Sequence, residues 1–146
     1  VLIGQAPSSS SDPTVPLSGK SGERLAKIAG IEFSKLGEYF ERVNIFDVYT
    51  GKAGKKGDAF PLHEARKQAR DVIIPTLRGK LVIFLGKPVA RAFDHGNLVA
   101  FVWARDARGF TAAFCPHPSG VNLFWNAPSN VELAKTFFAE ILRGNT

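Results

Sequence analysis

A histidine stands between two prolines in the stretch CPHPSGVNLFWN, residues 115–126. Proline fixes its own backbone, so the chain is stiff on both sides of His117. Pro118, Ser119 and Gly120 then make a tight turn with exposed amides. An imidazole held this firmly at a strand end can be a preorganised donor to developing negative charge. It can equally be a structural turn whose histidine caps a carbonyl. Local chemistry leaves the two readings even.

Other residues invite chemical readings. The chain opens VLIGQAPSSSSD, a short apolar run followed by Gly4, Gln5, Ala6, Pro7 and the serines Ser8–Ser11. Such a loop is either a linker or the lining of a pocket. The stretch SGKSG, residues 18–22, suggests a phosphate loop, but that motif needs a glycine at position 14 and a strand directly before it. Thr14 stands there, and the apolar run ends near Gly4. Nucleoside triphosphate binding is therefore excluded for this motif. Ser18, Lys20 and Ser21 could still meet one phosphate at a helix N-terminus, or serve as a plain cap and a solvated lysine. Asn44 carries an amide that can both give and accept a hydrogen bond, enough to read the edge of a base. His63 and His95 lack metal-site spacing and are expected at the surface. The aromatics Trp103, Trp125, Phe137 and Phe138 are expected in the core. The loop GKAGKKGD, residues 51–58, is solvated or a non-specific phosphate contact.

The elements that must position these residues alternate. VLIG is a short buried strand and residues 21–30 a helix capped by Ser21, with Leu25 and Ile28 inward and Gly30 as its stop. Residues 34–43 read as a second helix and 44–49 as extended. Pro61 opens a long helix to about residue 77, with Leu62, Ala65, Ala69, Val72 and Ile73 on one face. Residues 80–86 form the clearest buried strand. A short helix follows, then strands at 97–103 and 110–115. Ser129 to Glu132 reads as a capping box opening a final helix, with Leu133, Phe137 and Ile141 inside. This order favours an α/β domain with a mostly parallel sheet and helices on both faces. Ligands bind at the carboxyl ends of such strands. The loops after the first and last strands should face each other there.

Composition bounds the partners. The 146 residues suit one domain, 1–146. They carry 19 Lys+Arg against 13 Asp+Glu, a formal net charge of +6. That suggests a polyanion partner. The lone Cys115 excludes an internal disulfide and any cysteine-only metal or iron–sulfur site built by this chain. No apolar run is long enough to span a membrane and no signal-peptide pattern opens the chain. An intracellular protein without a metal or organic cofactor is expected.

Taken together these residues resemble the uracil-DNA glycosylase superfamily. GQAPS is similar to that superfamily's first active-site motif, G-x-x-P after the first strand. PLSGKSGERLAKIAG, residues 16–30, is similar to its P-F-x-G-x-x-G-x-x-L stretch. VNIFD resembles the segment with the base-reading Asn, LVIFLGKPVARAF its L-G-x-x-A strand and helix, and HPSGVN its H-P-S-[PG] motif. The matches run in order over nearly the whole chain, and the H-P-S match is the most specific.

The resemblance implies a three-layer α/β/α sandwich around a four-stranded, mostly parallel sheet. It implies a base flipped out of DNA into a pocket before the glycosidic bond is hydrolysed. His117 would donate to the base O2 and stabilise the departing anion. Asn44 would read N3–H and O4, with Gly4 and Leu17 lining the base site. Gln5 would lie where some branches place the acid that orients water. Ser119 would hold a phosphate and Val121 would wedge into the vacated stack, with Gly120, Asn122, Ser18, Lys20 and Ser21 also against DNA.

The motif also departs from its relatives. The uracil-specific branch has G-Q-D-P and the iron–sulfur branch G-E-A-P, whereas this chain has neither acid. A mismatch-specific branch has G-I-N-P, whose Asn positions water without a charge. A further branch takes its acid from just after the P-F-T-G stretch, where Lys20 stands here, and Leu17 replaces a stacking Phe. Asp12, Asp47 or Asp58 could still supply a missing carboxylate, and Gln5 could position water as the Asn of G-I-N-P does, without a charge. The expectation is a monomeric, monofunctional glycosylase acting on uracil or a related deaminated base in single- or double-stranded DNA. The alternative is a DNA-binding relative that senses a flipped base without cutting it. A serine hydrolase is disfavoured, because no G-x-S-x-G elbow exists.

Overall fold

Alternation along the central strands sets the architecture. In strand β3 (Leu81–Leu85), Val82 and Phe84 enter one apolar cluster, and Ile83 and Leu85 the other. Strand β1 (Leu2–Gly4) divides Leu2 from Ile3 in the same way, and β5 (Thr111–Cys115) divides Ala113 and Cys115 from Ala112 and Phe114. Successive strand side chains point to opposite faces, so strands apolar at every position need a cover on both. Helices α1 (Lys20–Ala29), α2 (Leu36–Tyr39) and α5 (Pro128–Gly144) cover one face. Helices α3 (Leu62–Gln68) and α4 (Lys87–Ala92) cover the other. These elements come from a computed structural model, in which residues 1–7, 12, 14–47, 60–119 and 122–144 are described.

With β2 (Arg42–Asn44) and β4 (Ala104–Arg105) the sheet has the order β2-β1-β3-β5-β4. The first four strands are parallel, and β4 runs antiparallel to β5 at the edge. The expected α/β/α sandwich is therefore present, with a fifth, two-residue strand added to the four. β1 and β5 both flank β3, so the loops that follow them open onto one end of the sheet.

Several element boundaries differ from the sequence reading, each for a physical reason. Helix α1 starts at Lys20 with Gly19 in the cap position, so Ser21 lies inside the first turn and is not the cap. Gly30 ends it in the left-handed conformation at φ 76°, as expected. The second helix stops at Phe40, whose backbone is extended (φ −133°, ψ 129°), and strand β2 begins two residues later. Asn44 thus ends a strand instead of starting one. Beyond α3 the helical path continues as a π turn, Ala69–Ile73, and a 3₁₀ turn, Ile74–Thr76. The wider π turn rotates the apolar stripe, which leaves Val72 exposed where it was expected inside.

Residues 97–103 do not form a strand. Only Ala100 bridges to Phe114, and Phe101 takes a positive φ of 62°. That turn drives the Phe101 ring into contact with Phe124, Trp125, Phe137 and Phe138. Helix α5 begins at Pro128, a residue pre-set for a first helical turn, which puts Ser129 inside the helix and not at its cap. Its buried stripe is Ala134, Phe137 and Phe138, and Leu133 is 50% exposed.

Candidate active site

The sheet itself serves as a ruler for the site. Asn44 ends β2, Gly4 ends β1, Leu85 ends β3 and Cys115 ends β5. Gly4 is in register with Asn44, and Leu85 with Cys115. Neighbouring strands lie about 4.8 Å apart, so about 14 Å separates the two outer ends. His117 shortens that gap. Its Cβ and Cδ2 stand 3.4 and 3.7 Å from where a side chain on Gly86 would begin. The imidazole therefore lies over the end of β3, one strand in from its own. About two strand spacings remain between its position and Asn44, room for one planar ring with polar groups at both edges.

Glycines make this arrangement possible. A Cβ on Gly4 would sit 2.7 Å from Asn44 Oδ1 and 3.8 Å from Leu17 Cδ2. The Asn44 amide and the Leu17 side chain thus close over the bare end of β1. Leu17 holds a left-handed backbone, φ 58°, a conformation that costs a non-glycine residue energy and clusters at functional sites. Its carbonyl lies where a Cβ of Gly22 would collide with it, so Gly22 lets the 14–18 segment lie against α1. The amides of Ile45 and Phe46 donate to the carbonyls of Gly4 and Gln5, both at 3.0 Å, and tie the β1 loop to the β2 loop. Gly86 needs its freedom twice: its φ is 98° and His117 packs on it.

The His117 carbonyl is the anchor of its loop. It accepts from the amide of Ser119 at 2.8 Å, from Asn122 Nδ2 at 3.2 Å and from the Trp125 indole Nε1 at 2.8 Å. Asn122 Oδ1 accepts in turn from the Phe124 amide, capping the 3₁₀ turn Leu123–Asn126. Asn130 Nδ2 donates to the Phe124 carbonyl and joins that turn to α5. The histidine is therefore held through its backbone. Its side chain is partly buried.

Of the twelve residues singled out for the site, Gly4, Leu17, Asn44 and His117 gather at the strand ends, with Gln5 directly after Gly4. Ser18 closes its own loop instead, since its hydroxyl donates to the Asp12 carbonyl and accepts from the Asp12 amide. Asn122 has both side-chain ends engaged in holding the His117 loop. Lys20 is exposed at the start of α1. Gly120 and Val121 lie outside the described residues, as do Ser8–Ser11, the 51–58 loop and Asp58. Asp12 is exposed, and its carboxylate accepts from the Thr14 amide and hydroxyl at 2.9 and 2.7 Å, which holds it below the usual carboxylate range. Asp47 is exposed and directly follows the residue whose amide bonds to Gln5.

The buried Cys115 thiol is pushed far above its ordinary range by desolvation, so it is no nucleophile. His95, expected at the surface, is largely enclosed instead. Its Nε2 meets Asp106 Oδ2 at 2.6 Å and its ring stacks on Phe84. The sequence reading missed Gly86, Gly22 and Trp125 as supports of the site. Both glycines lie within the motif stretches, and Trp125 reads in sequence as packing alone.

The family model described as the Uracil DNA glycosylase superfamily matches residues 1–143. No curated protein matches the chain.

Proposed function

This chain belongs to the uracil-DNA glycosylase superfamily, and on that premise we propose that it removes uracil, or a related deaminated base, from DNA and leaves an abasic site. The family acts on DNA. The observation that supports the finer reading is the pair of polar side chains placed at the carboxyl ends of the parallel strands. Asn44 closes over Gly4 from one side, and His117 is propped over Gly86 from the other.

In this reading a base flips out of the stack into the gap, because its glycosidic bond is out of reach inside DNA. The Asn44 amide accepts from N3–H and donates to O4, which selects uracil over cytosine. The C1′–N1 bond breaks and its electron pair leaves with the base. His117 donates to O2, where the negative charge develops. Water held near Gln5 adds to C1′, and its proton passes to solvent, since a neutral amide cannot take it. Leu17 packs on the base, and Lys20 and Ser119 meet backbone phosphates with Ser21 and Gly120 beside them. Val121 enters the vacated stack. Ser18 and Asn122 act by holding their loops.

A second reading rests on Gln5 and Ala6, which leave the first motif without a carboxylate. It is a relative that binds the flipped base without cutting it. Incubation with a uracil-containing oligonucleotide followed by alkali separates the two. Strand scission at uracil supports the glycosylase, whereas retention on a gel without scission supports the binder.

A further inference from the structure

The strand ends carry a concavity that adjoins His117. A cavity of about 540 Å³ shares His117 and Gly86 with the candidate site but lies toward the β4 edge, away from Asn44. Its position follows from Phe114 and Ala100, both in its wall, which bridge each other on the edge of β5 opposite β3. The size suits a small-molecule or nucleotide site, and the lining is mostly apolar, as such sites are. Phe114 and Phe124 supply ring surfaces, and Leu98 widens the apolar wall. Lys87 also lines the cavity, exposed and with no ion pair among the described residues.

We propose that this cavity receives the base adjacent to the flipped one, on one side of the target only, with Phe124 against its face and Lys87 toward its phosphate. The proposal rests on the base-flipping reading above and on the cavity's continuity with that site. The cavity should accept any base, because the Asn122 amide in its wall is already bonded at both ends. Stacking on aromatic rings tolerates every sequence, since every base has an apolar face.

The test is a binding titration in which the target position is a tetrahydrofuran abasic analogue, so no chemistry is needed. The base on each side of it is then removed in turn. Removal on one side should weaken binding about tenfold, as loss of one base–aromatic contact does. Removal on the other side should do little, and base identity on the sensitive side should not matter. Phe124→Leu keeps the apolar volume and removes the ring, and Ala100→Phe fills the cavity. Each should bind the intact oligonucleotide as weakly as the wild type binds the one lacking the neighbour, with no further loss on removal.

Equal effects on both sides, or none, would overturn the proposal. So would a one-sided dependence that both variants keep, or a wild-type dimer that Ala100→Phe dissolves. Uracil release measured in parallel keeps the two ideas apart. Release without the one-sided dependence sinks the cavity alone, and the dependence without release sinks the glycosylase alone.

Discussion

On the proposed reading, Gln5 is where this chain departs from the acid-bearing first motif of the uracil-DNA glycosylase superfamily. A carboxylate there would offset the positive charge that grows on the sugar as the base departs, and a close charge pair away from bulk water is strong. An amide orients water without that compensation. Gln5→Glu is therefore predicted to raise the single-turnover rate of uracil release by roughly tenfold or more, and Gln5→Ala to lower it. If Asp47 supplies the missing charge, Asp47→Asn alone will lower the rate and Gln5→Glu will add little. Gly4→Ala tests the other wall. A methyl group there meets Asn44 Oδ1 at 2.7 Å, so the amide must turn away. Discrimination between uracil and cytosine should fall, while the melting temperature stays within a few degrees. His117 stands out in the sequence as a candidate through its two prolines and the H-P-S match. Its orientation was not, because it depends on Gly86 and on three donors to one carbonyl, and one of these is an indole that looks like ordinary core in sequence.

The elements show why the sheet could be read and its edge could not. β3 announces itself as an unbroken apolar run, and its alternation assigns the helices to both faces. The segment at 97–103 is also apolar after Asn97, but the positive φ of Phe101 turns one ring into the core and leaves a single bridge where a strand was expected. The π turn after α3 changes which residue is buried without changing any residue type. The β4–β5 hairpin is secured by another cluster missed in sequence. Asp106 accepts Arg108 Nε at 2.8 Å and Nη2 at 2.7 Å, and meets His95 at 2.6 Å, while Arg108 Nη2 also reaches the Phe93 carbonyl. The Arg108 guanidinium holds the Asp106 carboxyl well below the usual carboxylate range, with His95 adding to the effect. A folded value below the unfolded one gives stability that is present above about pH 4 and is lost as pH falls toward the folded value. Chemical denaturation between pH 6 and pH 3 should show the onset of that loss in the wild type. Asp106→Asn should be about 2 kcal/mol less stable at pH 7 and show a flatter acid limb.

At the scale of the whole molecule, charge and topology point the same way. The chain carries a net charge of +6 and its parallel strands all end at one face, and a domain that meets DNA there must release counterions from the phosphates it contacts. With about three such contacts, affinity for a uracil-containing oligonucleotide should fall roughly 10- to 100-fold between 50 and 200 mM salt. A flat salt response would mean that the basic charge lies away from the bound strand. On the proposed reading His117, propped over Gly86, drives out a base that Asn44 has read. The decisive measurement is single-turnover release of uracil from an oligonucleotide by the wild type and by His117→Ala, followed by alkaline scission. Scission at uracil by the wild type and a loss of about 10²–10³-fold in His117→Ala are expected. Equal rates in the two proteins, or binding by both with no scission by either, would overturn the reading.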